Sequence, residues 1–299
     1  MRLSYILVIT LSVSILCSCG GDQSKKLEKS LTNEDSENTD KLKRDFNKAK
    51  QIFYSLPSPI ETAMLIRRAG VDFDETLLNK TENYSNYTTS LKKALNLGIY
   101  SADLSYASMF EQTQIAIKYM SITKLMAQDI GILSAIDERV LRRLETNINN
   151  RDSIMDIISE SFMNSDSYLK ENGRPETAAI ILAGGWIEGL YLAVKSSGGK
   201  KGNDDLVDRI IDQKISLGSL LQLLESYHNI EMVSRVLVDV KKIEKIYENF
   251  DIVYSHIETL TDPEDRSTVL KARTEVFKSA NALKSLSHLV DSLRTSYVQ

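Results

Sequence analysis

The sequence predicts an all-α protein, built as a multi-helix bundle or an irregular helical superhelix with a long C-terminal antiparallel helical hairpin. From residue 42 onward, apolar side chains recur at the helical spacing of three and four residues. No stretch shows the sustained alternation of apolar and polar residues that a half-buried strand requires, so we expect no sheet of consequence. The expected helices cover residues 42–55, 59–69, 84–96, 99–129, 135–148, 152–171, 175–195, 204–213, 217–228, 232–259 and 263–297.

The clearest helix start lies at Ser58-Pro59-Ile60-Glu61. Ser58 and Glu61 have the spacing of a capping box, and Pro59 occupies the first helical position, where its missing N–H is not needed. Gly70 is a natural stop. These signals predict the helix over residues 59–69.

Apolar residues in the C-terminal third follow heptad spacing, which is typical of helices that pack along a seam. The first stripe consists of Val236, Val240, Ile243, Tyr247, Phe250, Tyr254 and Ile257. A second stripe follows Pro263 and consists of Val269, Ala272, Val276, Ala280, Leu283, Leu286, Val290, Leu293 and Tyr297. We expect the two segments to form a hairpin that braces the fold; the alternative is a docking surface for another helix.

The N-terminus has the pattern of a bacterial lipoprotein signal. Arg2 gives a positive start, residues 5–16 are apolar and too few to span a bilayer, and Leu16-Cys17-Ser18-Cys19 matches a lipobox. We therefore expect a signal peptide over residues 1–18 and lipidation of Cys19. The alternative is an ordinary secretory signal that is cleaved nearby.

Residues 19–41 are expected to form a disordered tether behind the lipid. Leu27 and Leu31 are the only large apolar side chains among residues 20–40, which leaves too little apolar surface to offset the entropy of ordering. A flexible chain of this length has a root-mean-square span of about 25 Å. Residues 42–299 then form a single all-α domain, with 196–203 as either a lobe boundary or an exposed loop.

Composition restricts the chemistry and the partners. Cys17 and Cys19 are the only cysteines, so a processed, lipidated chain has no free thiol for a disulfide, a thiolate metal site or a nucleophile. The formal net charge of −4 disfavours nucleic acid. Gly20 rather than Asp follows Cys19, so we expect the outer membrane. Residues 20–24 lack a dense acidic cluster, so we expect the periplasmic face, with surface exposure as the alternative. The expected partners are the membrane, through the lipid, and an envelope protein.

Residues 177–194 carry a single charged side chain, Glu188, in eighteen residues. A helix that is apolar all round is usually the buried centre of a helical domain. Gly185, Gly189 and Ala193 form a stripe of small residues, and interior glycines weaken a helix unless something approaches closely. The small-residue stretch 98–108 is the expected neighbour.

This placement brings Asp103 close to Glu188 and suggests a ligand pocket. We hypothesise that the carboxylates share it with four aromatic residues: Tyr100, Tyr106, Trp186 and Tyr191. The alternative is that an arginine or a backbone donor satisfies each carboxylate.

The sequence predicts no metal site and no cofactor. Glu225 and His228 match half of a di-iron motif, but neither of the other two histidines, His256 and His288, has a glutamate three residues before it. No phosphate-binding loop, dinucleotide fingerprint or G-x-S-x-G motif is present, and the S-x-x-K match at Ser121–Lys124 lacks the K-[S/T]-G that should accompany it.

Three stretches carry a resemblance to a group of uncharacterised lipoproteins of Bacteroidetes. They are SLPSPIETAMLIRRAGVDFDETLLN at 55–79, LNLGIYSADLSYASMFEQTQ at 95–114 and LAGGWIEGLYLA at 182–193. The resemblance spans most of residues 50–195. It implies a lipid-anchored helical protein, but it implies no activity and no site residues.

Two classes of function fit these features. The first is a lipid-anchored, non-enzymatic helical module that binds a protein partner or a small ligand at the cell envelope. The second is an envelope enzyme with an unrecognised carboxylate site near Asp103 and Glu188. A closed core in which Glu188 pairs with an arginine argues against the enzyme, whereas carboxylates that face water in a cleft favour it.

Overall fold

Helices dominate the computed structural model, which describes residues 59–133, 138–147, 150–198, 204–254, 258–262, 267–271, 274–277 and 280–299. The α-helices are α1 (Pro59–Arg68), α2 (Ser90–Met109), α3 (Thr113–Ile130), α4 (Glu138–Thr146), α5 (Arg151–Glu171), α6 (Pro175–Ser197), α7 (Asp204–Glu225), α8 (Glu231–Tyr247) and α9 (Ala280–Val298). Short 3-10 helices cover Glu75–Leu77 and Thr81–Asn86. The all-α, multi-helix class is confirmed. The signal, Cys19, the tether and the expected helix 42–55 lie outside the described residues.

Helix α6 is the centre of the fold. It packs against α1, α2, α5, α7, α8 and α9, so most of the described helices contact one common element. This arrangement is a bundle around a central helix rather than a superhelix in which each helix pair contacts only its neighbours. Helices α6 and α7, which flank the expected boundary at 196–203, pack against each other, and the described residues all belong to one compact unit.

Helix α6 is also long and apolar enough to cross a membrane. Its most apolar window of 18 residues has a mean hydropathy of 1.6, and 89% of that window is buried inside the protein. The burial identifies α6 as the core helix that the composition of residues 177–194 predicts.

Glycines allow α2 and α6 to approach until their backbones touch. A Cβ atom on Gly98 would lie 2.0 Å from the carbonyl oxygen of Ile181, and one on Gly184 would lie 2.1 Å from that of Leu95. The expected neighbour of the small-residue stripe is therefore correct. The closest contact, however, uses Gly184, while Gly189 faces Thr62 of α1.

Several helix boundaries differ from the expectation. Residues 84–96 and 99–129 were expected as separate helices, but α2 continues through Gly98 because this glycine fits against α6. The break comes instead after Phe110, where Glu111 adopts a left-handed φ of 57°. Likewise, 204–213 and 217–228 are one helix, α7, because nothing in the fold interrupts it at Gly218.

The continuous helices expected over 232–259 and 263–297 are wrong at the tip of the C-terminal hairpin. Helix α8 ends at Tyr247, and four short strands follow before α9 begins at Ala280. The strands are β1 (Asp251–Tyr254), β2 (Glu258–Asp262), β3 (Ser267–Lys271) and β4 (Thr274–Phe277). β1 pairs antiparallel with β4, and β2 pairs antiparallel with β3.

The residues of the tip explain this conformation. β-branched residues are common in these strands: Ile252, Val253, Thr259, Thr261, Thr268, Val269, Thr274 and Val276. Such side chains favour a pleated strand over a helix. Pro263, between β2 and β3 in sequence, is typical of a turn as well as of a helix start.

Most of the described helical residues of both stripes are buried, and Leu283 is half-buried. On α8, Val236, Val240, Ile243 and Tyr247 are at most 1% exposed, as is Phe250 just beyond it. On α9 the buried residues are Leu286, Val290, Leu293 and Tyr297. Helices α8 and α9 pack against each other, and the Tyr297 hydroxyl donates to Oδ2 of Asp239 at 2.9 Å.

Candidate functional site

Glu188 is the single charged residue in the apolar stretch 177–194 of α6. Its side chain lies on the face of α6 that packs against α9. Glu188, Tyr191 and Lys195 follow helical spacing and all interact with α9. Lys195 forms an ion pair with Asp291 at 3.0 Å near the surface. Glu188 lies deeper, with 0% exposure.

Arg294 of α9 neutralises Glu188 in a two-pronged ion pair. Its Nε atom donates to Oε2 of Glu188, and its Nη2 atom donates to Oε1, both at 3.0 Å. Nη2 also donates to the carbonyl oxygen of Leu77 at 3.1 Å, and the guanidinium lies 4.7 Å from the centre of the Tyr191 ring. The Arg294 side chain is 12% exposed. Both oxygens of Glu188 are therefore occupied by one fixed cation.

Asp103 of α2 is the second carboxylate of this cluster and is also 0% exposed. Its Oδ2 atom accepts from the backbone N–H of Asn79 at 3.1 Å, and Oδ1 accepts no hydrogen bond from the residues that the structure describes. Burial raises the pKa of Asp103 well above its ordinary value, and the charge of the nearby Glu188 raises it further, against the opposing effects of Arg294 and the Asn79 amide.

A protonated Asp103 makes the cluster electrically balanced. With Asp103 neutral, the charges of Glu188 and Arg294 cancel, whereas ionised Asp103 would leave a net negative charge in the core. The cluster thus joins α2, α6 and α9 in the core and leaves Oδ1 of Asp103 without a hydrogen bond from the described residues.

Asn79 connects this network to the loop before α2. Its side-chain amide donates to the Tyr87 hydroxyl at 3.0 Å and to Oδ1 of Asn96 at 3.2 Å. Its carbonyl oxygen accepts from the Tyr119 hydroxyl at 2.8 Å. Every polar group of this buried residue has a partner, which indicates a structural role.

The structure places two of the four aromatic residues near the carboxylates and two elsewhere. Tyr191 contacts Arg294, whereas the Trp186 indole donates to Oγ of Ser216 on α7 at 3.0 Å. Tyr100 donates to the carbonyl oxygen of Lys80 at 2.9 Å. Tyr106 stacks on Phe73, with ring centres 5.1 Å apart. Tyr191 and Tyr100, which lies one helical turn before Asp103 on α2, are therefore close to the carboxylates, whereas Trp186 and Tyr106 have their partners elsewhere in the core.

A cavity of about 70 Å³ lies elsewhere, between α2, α3, α4, α5 and α6. Its apolar lining consists of Leu97, Leu104, Met120, Ile132, Leu144, Ile158 and Ile181. Thr123, Lys124, Ser101, Ser161 and Ser165 complete it. The volume is several times what one water molecule needs, and apolar walls hold water poorly. The lining and the volume suit a short apolar group rather than a large ligand.

No group of three or more potential metal ligands occurs among the described residues. His228 is exposed, and its Nδ1 atom lies 2.7 Å from the carbonyl oxygen of Glu225. The Glu225 side chain instead forms an ion pair with Lys241 at 3.0 Å.

Sequence reasoning missed Arg294 and the cavity. The sequence does contain an indication that Arg294 is buried. Arg294 lies four residues after Val290 and three before Tyr297, so it falls on the apolar face of its helix. The sequence contains no such indication of the cavity, because each helix that lines it has the ordinary apolar pattern of a helix that faces a core.

Comparison with protein-family models, with curated proteins and with solved structures gives no match for this chain. The resemblance to Bacteroidetes lipoproteins therefore stays a prediction from the sequence. The described part of the protein is an all-α bundle with a buried carboxylate–arginine cluster and a separate apolar cavity.

Proposed function

We propose that this chain is a lipid-anchored, non-enzymatic helical module of the cell envelope that binds a small apolar ligand. The observation that carries the proposal is the cavity between α2, α3, α4, α5 and α6, whose walls are mostly apolar side chains. Burial of apolar ligand surface in such a cavity is favourable and needs no chemistry from the protein.

The geometry of the carboxylates favours this function over an envelope enzyme. General acid or base catalysis requires a group within hydrogen-bond reach of the substrate. Asp103 and Glu188 are both fully buried, and Arg294 binds both oxygens of Glu188. A substrate could reach them only if α9 moved out of the core.

The sequence supports the location. The lipobox Leu16-Cys17-Ser18-Cys19 favours a lipid on Cys19, and we propose that the protein lies on the periplasmic face of the outer membrane. Two or more acyl chains give stable anchoring where one does not. A protein partner in the envelope belongs to the same proposal, and crosslinking in intact cells followed by purification with the lipid retained would identify it.

A neutral apolar probe tests the binding function. The full chain carrying Cys19→Ala, which has no attached lipid to compete, is titrated with 1-octanol, and the thermal unfolding midpoint is followed. A ligand at 100 times its dissociation constant stabilises the folded state by about 2.7 kcal/mol, so binding raises the midpoint.

Two phenylalanine variants of α5 localise the binding. Ser165 lines the cavity, whereas Ser167 on the same helix is exposed. Ser165→Phe should fill the cavity and abolish the response to 1-octanol, while Ser167→Phe should retain it. Absence of any response in the parent chain, or equal responses in the two variants, would refute the proposed function.

A further inference from the structure

We infer that the ligand of the cavity is amphipathic, with one hydrocarbon chain in the cavity and an anionic head group beside Lys124. The inference rests on the proposed function and adds the chemical class of the ligand.

The cavity leads from the surface into the core. Lys124 is exposed, and Met120, Thr123, Ser161 and Ser165 are half-buried. The buried lining residues Leu97, Leu104, Ile132, Leu144, Ile158 and Ile181 form its interior. A ligand that follows this gradient has a polar end at the mouth and an apolar body inside.

Three of the four hydroxyl groups that line the cavity are already used by their own helices; Ser165, near the mouth, is the fourth. Ser101 donates to the carbonyl oxygen of Leu97 at 2.7 Å, and Ser161 donates to that of Ile157 at 2.7 Å. Thr123 donates to the carbonyl oxygen of Tyr119 at 2.8 Å. These protons do not point to a ligand, so the interior offers a polar molecule few donors and suits a hydrocarbon chain.

Lys124 gives the mouth its charge. It follows Met120 and Thr123 at helical spacing, so its stem lies along the cavity while its ammonium group can reach water. Among the residues that the structure describes, no carboxylate forms an ion pair with Lys124, whereas Lys118 on the same helix pairs with Glu82 at 3.6 Å. The net charge of −4 repels anions, so any preference for an anion must arise locally.

Three eight-carbon probes test the head group, again with the full chain carrying Cys19→Ala. Octanoate, 1-octanol and octylammonium are titrated by calorimetry at low salt. We expect octanoate to bind about fivefold more tightly than 1-octanol, the size of effect that an exposed ion pair gives, and octylammonium to bind more weakly. Added salt should reduce the difference.

Lysine variants assign the preference to one side chain. Lys124→Gln should make octanoate and 1-octanol bind equally. Lys118→Gln, the same charge change on the same helix, should keep the preference. If the preference survives Lys124→Gln, or if the parent chain binds octanoate and 1-octanol equally, the inference is wrong.

A chain-length series tests the hydrocarbon part. From butanoate to hexanoate to octanoate, affinity should rise about fourfold per methylene until the cavity is full, because each buried methylene contributes about the same free energy. Affinity that does not depend on chain length would overturn the inference. Phosphatidylglycerol vesicles that displace octanoate would identify membrane lipid as the source of the chain, whereas vesicles without effect would identify a free single-chain acid.

The results separate this inference from the proposed function. Binding of 1-octanol that Ser165→Phe abolishes, without a preference for octanoate, would refute the anionic head group and leave the proposed function intact. Failure of both probes to bind would refute both.

Discussion

Arg294 makes it possible for two carboxylates to lie side by side in the core. Taking ionised groups out of water costs several kcal/mol each unless a partner of opposite charge is well placed. Arg294 contacts both oxygens of Glu188, and Asp103 has a raised pKa. The net charge of the cluster is therefore zero when Glu188 and Arg294 form one ion pair and Asp103 keeps its proton.

Glu188→Gln should lower the free energy of unfolding by about 3 kcal/mol, because it leaves the Arg294 charge in the core without its counter-charge. Urea denaturation measures the loss. Glu225→Gln is the matched control, since Glu225 and Lys241 form an exposed pair at 3.0 Å. It should cost less than about 1 kcal/mol. Equal losses in the two variants would contradict the structural role of Glu188.

Asp103→Asn should change how stability depends on pH. The raised pKa of Asp103 means that the folded state keeps a proton that the unfolded state releases. Stability is therefore highest below the unfolded pKa near 3.8 and falls as pH rises toward the folded pKa, by up to tenfold in the unfolding constant per pH unit. Glu188 and Arg294 are the charged groups that face Asp103.

An asparagine side chain does not titrate, so Asp103→Asn should remove the decrease in stability that Asp103 causes as pH rises. Urea unfolding of the parent and the variant at pH 4.5, 5.5 and 6.5 measures it. The variant should gain stability relative to the parent as pH increases. A constant difference across this range would mean that Asp103 is ionised in the folded protein.

At the residue scale, part of the site could be predicted from the sequence. The single charge of residues 177–194 marks Glu188 as a buried group that needs a partner, and the alternative of an arginine agrees with the contact that forms. Which arginine fills that role depends on the path of α9, more than 100 residues away in sequence. Local patterns contain no information about so distant a contact.

At the scale of elements, the crossing of α2 and α6 determines the core. Gly98 and Gly184 are the points where the two backbones meet. A glycine inside a helix costs about 1 kcal/mol relative to alanine, and here the close approach of the two helices offsets that cost.

Gly98→Ala should therefore destabilise the protein by about 3 kcal/mol or more, because the new Cβ would lie 2.0 Å from a backbone oxygen that cannot move aside cheaply. Gly218→Ala in α7 is the control. No atom lies within 4 Å of its Cβ position, so it should stabilise the helix by about 0.5 to 1 kcal/mol. Denaturant unfolding of both variants gives the comparison, and a stable Gly98→Ala protein would disprove the crossing.

Element boundaries show why glycine alone is a poor guide to helix ends. Gly98 and Gly218 lie inside helices, whereas the break after α2 comes at Glu111, which sequence does not mark. The strands at the tip of the C-terminal hairpin are a second case in which the apolar pattern alone did not predict the end of a helix. Heptad spacing continues through Tyr254 into β1, but the β-branched residues around it favour strand, and an apolar stripe does not by itself distinguish the two.

At the scale of the whole molecule, the proposal combines an anchor with a binding body. Cys19→Ala should yield unprocessed or soluble protein, because the lipid would have no attachment site. Fractionation of cells and the size of the mature chain on a gel measure this. A Cys19→Ala protein of wild-type size in the membrane fraction would contradict lipidation.

The position at which a neutral ligand binds tests the proposed binding function most directly. Methyl resonances of the isoleucine, leucine, valine and methionine side chains are recorded by NMR while 1-octanol is added. If 1-octanol binds in the cavity, we expect shifts of the methyl resonances of Met120, Ile132, Ile158 and Ile181, which line it. Shifts confined to Leu77, whose carbonyl oxygen accepts from Arg294, would contradict binding in the cavity and would restore the carboxylates as the binding site.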